Sequence, residues 1–154
     1  MTKITPDIWL GDSKDAESAD LKKDGIGAML NVAHDLQCKR GWSDGIEYAQ
    51  CGLVDGPGNT MASYHAALLK LCALVCGGRK TLVVDHVAGG RAVAVAIMGL
   101  HAMRRMGWAH WLKEIAKALA KVDEQGFSCV EVHPKHKEAF DRINWRLVSV
   151  AMEG

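Results

Sequence analysis

Net charge is nearly absent from this chain: 19 Lys and Arg stand against 18 Asp and Glu, leaving +1 at pH 7 with His neutral. No bulk field gathers nucleic acid or a charged membrane surface, so neither is expected as a partner. No apolar run approaches the roughly 20 residues that a bilayer requires, and the opening MTKITPDIWLGD has no secretory-signal pattern. The five Cys are odd in number and unpaired in spacing. That argues against a disulfide framework and for a reducing compartment, here expected to be cytoplasmic. Internal repeats, low-complexity tracts and linkers are missing too, so residues 1–154 are expected to form one domain around one core.

What is present is an alternation of strand-like and helix-like segments. ITPDIWLGD reads as an edge strand with Pro6 near its start. SKDAESADLKKDG reads as a short helix capped by Ser13 and ended by Gly25. IGAMLNVAHD reads as a buried strand, QCKRGWSDG as a polar loop, and IEYAQCGLVD as a strand before the turn GPGN. Thr60 caps a predicted helix over 61–76, and GGRK breaks it before the strand TLVVDH. RAVAVAIMGLHAMRRM is apolar nearly all round, a buried helix ended by Gly107. Two more helices are predicted over 109–121 and 135–152. The pattern implies an α/β fold with a mostly parallel central sheet and helices on both faces. Ligands of such sheets sit outside the carboxyl ends of the strands, where two loops are expected: VDGPGN and DHVAGGR.

The second loop has the makings of an anion cradle. Ala88, Gly89 and Gly90 allow backbone N–H groups to turn toward one point. The following helix adds its positive end, and Arg91 can grip two oxyanion oxygens with its guanidinium fork. The competing reading is a tight connection whose glycines merely pack. GK[ST] is absent, which removes a nucleotide–magnesium P-loop, and GxGxxG is absent, which removes a dinucleotide fingerprint.

Strand, one residue, five residues, Arg and helix in that order resemble the CX5R loop of cysteine-based protein tyrosine phosphatases of the small dual-specificity type. Counting back from Arg91 puts Asp85 at the nucleophile position, with His86, Val87, Ala88, Gly89 and Gly90 between. ITPDIWLGD resembles the opening strand of that family, and DGIGAMLNVAHD the segment entering the sheet centre. VDGPGN resembles the loop carrying the general-acid aspartate, which makes Asp55 that residue. GWAHWL and HPKHKEAFDRINW resemble the closing helices. The resemblance runs over residues 3–148. It implies hydrolysis of phosphate monoesters on a phosphorylated protein or small phosphomonoester, with loop 85–91 as the phosphate seat and no metal or cofactor.

The chain departs from the pattern where the chemistry is most exacting. The nucleophile position holds Asp85 in place of Cys, Val84 stands where His often precedes, Ala92 where Ser or Thr often follows the Arg, and Ala88 where Gly is usual. A carboxylate is a poorer nucleophile than a thiolate, and aspartyl-phosphate chemistry normally leans on a metal. Little or no turnover is therefore expected. Either Asp85 is a disabling substitution in a working phosphatase, or the chain is a pseudophosphatase that binds phosphorylated partners without hydrolysis. An unrelated α/β protein binding a small anion is the third reading. Asp85 is expected to mimic the thiolate or the bound phosphate by accepting hydrogen bonds from loop amides or from Arg91.

The other conspicuous side chains read as structural. Cys72 and Cys76 suit a helix core face. His133 and His136 flank Pro134 as capping and surface groups, Arg104 and Arg105 suit a helix C-terminus, and Trp108, Trp111 and Trp145 suit the core beneath the last helices. His86 either lines the pocket rim or packs, and Cys38 sits in a polar loop without an evident role.

Overall fold

The computed structural model describes residues 1–39, 44–87 and 89–153. Five strands, β1 (Thr2–Lys3), β2 (Ile8–Gly11), β3 (Ala28–Ala33), β4 (Glu47–Leu53) and β5 (Thr81–Val84), form one sheet in the order β1-β2-β5-β3-β4. Every neighbouring pair is parallel except β1 with β2. Among the described residues six helices accompany them: α1 (Ser13–Ala16), α2 (Met61–Cys76), α3 (Gly90–Arg104), α4 (Gly107–Ala118), α5 (Pro134–Arg142) and α6 (Trp145–Glu153). Among the described residues no helix is long and apolar enough to cross a membrane.

The central strands are apolar throughout because both faces are covered, and the alternation of side chains sorts them between two cores. Leu30, Val32 and Val83 face one core with α2, α3 and the C-terminal helices. Met29, Leu82 and Val84 face the other, beneath α1 and the segment carrying Leu21 and Ile26. The two coverings are unequal: the first face carries five helices, the second one short helix and irregular chain. α3 is buried from Gly90 through Leu100, as its apolar periphery requires. Trp111 is buried, and Trp108 and Trp145 pack against the same core.

Several local expectations are corrected. The opening segment is a hairpin: the edge is β1, and β2 lies inside it, beside β5. The expected helix over 13–25 is one turn, and its N-cap is Asp12, not Ser13. Asp12 accepts from the amides of Lys14 and Asp15, and Asp15 reaches back to the Asp12 amide at 2.9 Å, a reciprocal capping box. α3 stops at Arg104, because Arg105 and Met106 turn to positive φ, and Gly107 begins the next helix. The predicted helix over 135–152 is two helices, separated where Ile143 adopts an extended backbone. Cys72 is buried, which pushes its thiol up to about 12, but Cys76 is exposed. The polar loop QCKRGWSDG falls partly outside the described residues, as does Ala88.

Where β3 meets β4 the register shifts between Asn31 and Ala33. There a Cβ on Gly52 would lie 2.7 Å from the Cα of His34, a backbone atom with little room to yield. Gly52→Ala is therefore expected to cost about 1–3 kcal/mol by overpacking, read as a lower midpoint in urea unfolding.

Candidate functional site

Three strands of the parallel sheet, β3, β4 and β5, send their carboxyl ends to one side, and each carries an acidic residue there. Asp85 follows β5 directly. It is 2% exposed, and both oxygens of its carboxylate accept from backbone donors. Oδ1 accepts from the amides of Val87 (3.2 Å) and Gly89 (2.9 Å), and Oδ2 from the amide of Ala92 (3.0 Å). The first-turn amides of a helix have no intrahelical partner, so a carboxylate in this position satisfies α3 and gains from its dipole. The end of β2 ties the loop down: Asp12 bridges Val87, and the Ser13 amide donates to the His86 carbonyl at 3.4 Å.

Of the two donor sets expected for Asp85, the loop amides supply the bonds. Arg91 turns elsewhere. It is 6% exposed, and its Nη1 donates to Asp35 Oδ1 at 2.9 Å and to the Leu53 carbonyl at 3.1 Å. Its buried Nε has no partner among the described residues. A buried donor left open costs free energy, so this nitrogen marks the side on which an acceptor belongs.

Asp35, just after β3, was not among the expected site residues. It collects Arg91, His86 Nε2 at 3.2 Å and His34 Nδ1 at 3.7 Å. The Arg91 hydrogen bond, first among the causes, holds its carboxyl below the usual range. The signal was available: a parallel β3 must deliver AHD to the same edge as Asp85. A buried Asn31 secures the turn that carries Asp35, donating from Nδ2 to the Leu36 carbonyl at 2.7 Å and accepting from the Ala33 amide at 3.0 Å.

Asp55 lies in the loop after β4, and Asn59 staples that loop. The Val54 amide donates to Asn59 Oδ1 at 2.8 Å, and Asn59 Nδ2 donates to the Val54 carbonyl at 2.7 Å. Asp55 stands over the start of α3, since a Cβ on Gly90 would lie 3.1 Å from its Oδ1. The structure thus brings Asp55 to the loop that carries Asp85 and Arg91. His86 pairs with Asp35, and Val87 points its side chain to solvent at 74% exposure. A cavity of ~740 Å³ opens beside Val87, Gly89, Gly90 and Asp55 and reaches Lys121 and Cys129.

His136 corrects the expectation of a surface group. It is fully buried, while His133 caps α5 by accepting from the Lys135 amide. His136 Nε2 lies 3.1 Å from Asp55 Oδ1, and Nδ1 lies 2.7 Å from the hydroxyl of Tyr64. A carboxylate only accepts, so Nε2 carries the proton and the Tyr64 hydroxyl donates to Nδ1. Asn59 Nδ2 donates in turn to the Tyr64 oxygen at 3.3 Å. Burial holds His136 below the usual histidine range, against the pull of Asp55. A depressed histidine stabilises the fold above its unfolded value near 6.5, and that stability is lost as pH falls below it. His101 shifts in the same direction, so the difference between two proteins isolates His136. His136→Gln, which keeps a donor for Asp55, is expected to flatten the acid side of the stability–pH curve below about pH 6.5; an unchanged slope would contradict the assignment.

No family model matches the chain, and no curated protein matches it in sequence. Solved structures do match in shape. Human DUSP28 superposes with a TM-score of 0.77 at 17% identity, over 99% of this chain and 98% of that one. The fold is that of the small dual-specificity phosphatases. DUSP15 gives a TM-score of 0.79 at 17% identity, over 99% of this chain and 92% of its own. A mouse putative dual specificity phosphatase, solved with zinc tungstate, gives 0.76 at 17% identity over 98% and 90%. The mostly parallel sheet flanked by helices agrees with the expected fold class.

Proposed function

We propose that this chain is a phosphatase-fold protein that seats phosphate monoesters on loop 85–91 and hydrolyses them weakly or not at all, because Asp85 occupies the nucleophile position. One observation carries the reading: the loop amides of Val87, Gly89 and Ala92 converge on a single negatively charged group, with the unpartnered Nε of Arg91 buried nearby. Converging backbone donors at a helix start suit an oxyanion. The tungstate reported for the mouse neighbour is a tetrahedral oxyanion of the same kind.

Roles follow residue by residue. Arg91 would bind phosphoryl oxygens through Nε, with Nη1 already anchored on Asp35. Asp55, with Oδ1 held by His136, would offer Oδ2 as the acid that protonates a leaving oxygen. Asp85 would have to attack phosphorus as a carboxylate already engaged by three amides, which withdraws its lone pairs and lowers its nucleophilicity. Binding without turnover then makes the chain a receptor for phosphorylated protein or a small phosphomonoester. The second reading, a disabled form of a working phosphatase, shares this geometry and differs only in origin.

Titration with inorganic phosphate tests the seat. Arg91→Ala is expected to weaken binding by about a hundredfold, the loss of a buried charge-assisted contact. Asp85→Ser is expected to strengthen it, by removing an anion that competes for the same amides. Retained affinity in Arg91→Ala, or equal affinity in Asp85→Ser, overturns the reading.

A further inference from the structure

We infer that Asn59 and Tyr64 are positioning residues for Asp55. With His136 they form a line of hydrogen bonds of fixed polarity, which keeps Asp55 Oδ1 an acceptor and makes Oδ2 the oxygen that holds a transferable proton. This rests on the reading of Asp55 as the acid and adds the side chains that aim it.

The polarity is set one bond at a time, starting from the backbone. The Val54 amide can only donate, and it donates to Asn59 Oδ1 at 2.8 Å. The Val54 carbonyl can only accept, and it takes Asn59 Nδ2 at 2.7 Å. The side-chain amide of Asn59 is thereby held in one orientation. Its nitrogen also faces the Gly56 carbonyl at 3.4 Å and the Tyr64 oxygen at 3.3 Å. An amide nitrogen donates and does not accept, so the Tyr64 hydroxyl cannot turn its hydrogen toward Asn59. Among the described residues the acceptor left to it is His136 Nδ1, at 2.7 Å. Nδ1 is therefore bare, Nε2 carries the hydrogen, and Nε2 donates to Asp55 Oδ1 at 3.1 Å.

The line starts on Val54 and ends on the next residue, so it closes a ring through the loop after β4, α2 and α5. Burial makes the order strict. Tyr64 is 3% exposed and His136 fully buried, and one hydrogen turned the wrong way would set donor against donor or acceptor against acceptor in a low-dielectric interior. At the far end the two oxygens of Asp55 have unequal surroundings. Oδ1 takes His136 and lies 3.1 Å from where a Cβ on Gly90 would stand. A proton added on Oδ1 would confront the hydrogen of Nε2, so it enters on Oδ2, from which it can pass to a departing oxygen.

Nitrogen NMR of the His136 ring reads this polarity. Burial favours the neutral ring, and in the unaltered chain at about pH 7.5 hydrogen is expected on Nε2 and none on Nδ1; hydrogen on Nδ1 overturns the inference. Asn59→Asp exchanges the donating nitrogen for an accepting oxygen of similar size. The Tyr64 hydroxyl should turn to it, and hydrogen should appear on Nδ1. The new carboxylate also meets the Val54 carbonyl and can disturb the loop, so a double variant supplies the control. In Asn59→Asp with Tyr64→Phe the linking hydroxyl is gone, and Nδ1 should be bare again. A bare Nδ1 in Asn59→Asp alone, or hydrogen on Nδ1 in both variants, overturns the line. The effect on the acid is read in the Asp85→Cys protein. There Asn59→Asp should slow phenyl phosphate hydrolysis at least about tenfold more than p-nitrophenyl phosphate hydrolysis, because the poorer leaving group depends more on a proton. Equal slowing of the two esters is a general structural defect and overturns the positioning role. The reading of Asp55 as the acid fails separately: Asp55→Asn in the same protein then leaves both rates unchanged, whatever the state of the His136 ring.

Discussion

Exchanging Asp85 for Cys is expected to raise hydrolysis of p-nitrophenyl phosphate about a thousandfold or more over the unaltered chain, the scale on which nucleophile exchanges act. The environment built for the Asp85 carboxylate suits a thiolate. Three amides and the start of α3 face that position, and such surroundings lower a thiol pKa well below its ordinary value of about 8.5. On the proposed assignment Asp55, which stands over the start of α3, protonates the leaving group, so Asp55→Asn in the Cys-bearing protein should lower the rate and remove a limb of its pH profile. Ala92 sets the shape of the time course. Its side chain is buried and carries no hydroxyl to help sulfur depart, so the phosphoenzyme should form faster than it breaks down. A burst of nitrophenol followed by a slow steady rate is expected, and Ala92→Ser should speed the second phase. Equal hydrolysis by the unaltered chain would mean that Asp85, or water beside it, attacks phosphorus. No hydrolysis in either protein would reduce the loop to a binding site or a structural bend.

The parts of the site that were legible in the sequence are those in which one local segment carries the geometry. LVVDHVAGGR announces a strand, small residues and a buried helix in ten consecutive positions, and that order alone places Asp85 and Arg91 on opposite sides of one loop. Asp55 was legible for the same reason, as the first residue of a turn after a strand. Asp35 was hidden because it closes a segment otherwise apolar enough to read as strand throughout; only the parallel pairing of β3 with β4 and β5 brings it to Arg91. His136 was expected at the surface from its place beside Pro134 at a helix start. KHKEAFDR looks solvated, yet His136, Ala139, Phe140 and Ile143 fall at i, i+3, i+4 and i+7, and all four are buried, the spacing of a core-facing stripe. The break between α5 and α6 has no Pro or Gly to mark it, and Asp12 and Ser13 are adjacent residues of equal capping aptitude. In that case the reciprocal bond from Asp15 decides, a contact that becomes evident in three dimensions.

Asp85→Ala is expected to destabilise the folded chain by about 2–4 kcal/mol, opposite to the usual result of deleting a functional charge. Charges kept for function are commonly strained, and their removal often stabilises. Asp85 is buried and accepts from three backbone amides, and its loss strands those donors. A hydrogen bond to a charged group contributes about 1.5–3 kcal/mol. The amides of Val87 and Gly89 border an open cavity and can recruit water, which discounts two of the three. The Ala92 amide is buried and bears the full penalty. Relief of repulsion from Asp35 and Asp55 works the other way but is smaller, because both are about half-exposed and well screened. For a chain of this size the net corresponds to a fall in Tm of roughly 5–15 °C. Phosphate separates this account from a simple packing defect. Ligand at a hundred times its Kd returns about 2.7 kcal/mol, so phosphate should restore most of the lost Tm in Asp85→Ala, where the amides are open to it. The unaltered chain, whose own carboxylate already fills them, should gain far less. If phosphate raises the Tm of both proteins equally, Asp85 is not competing for the seat, and the three amide contacts serve the fold alone.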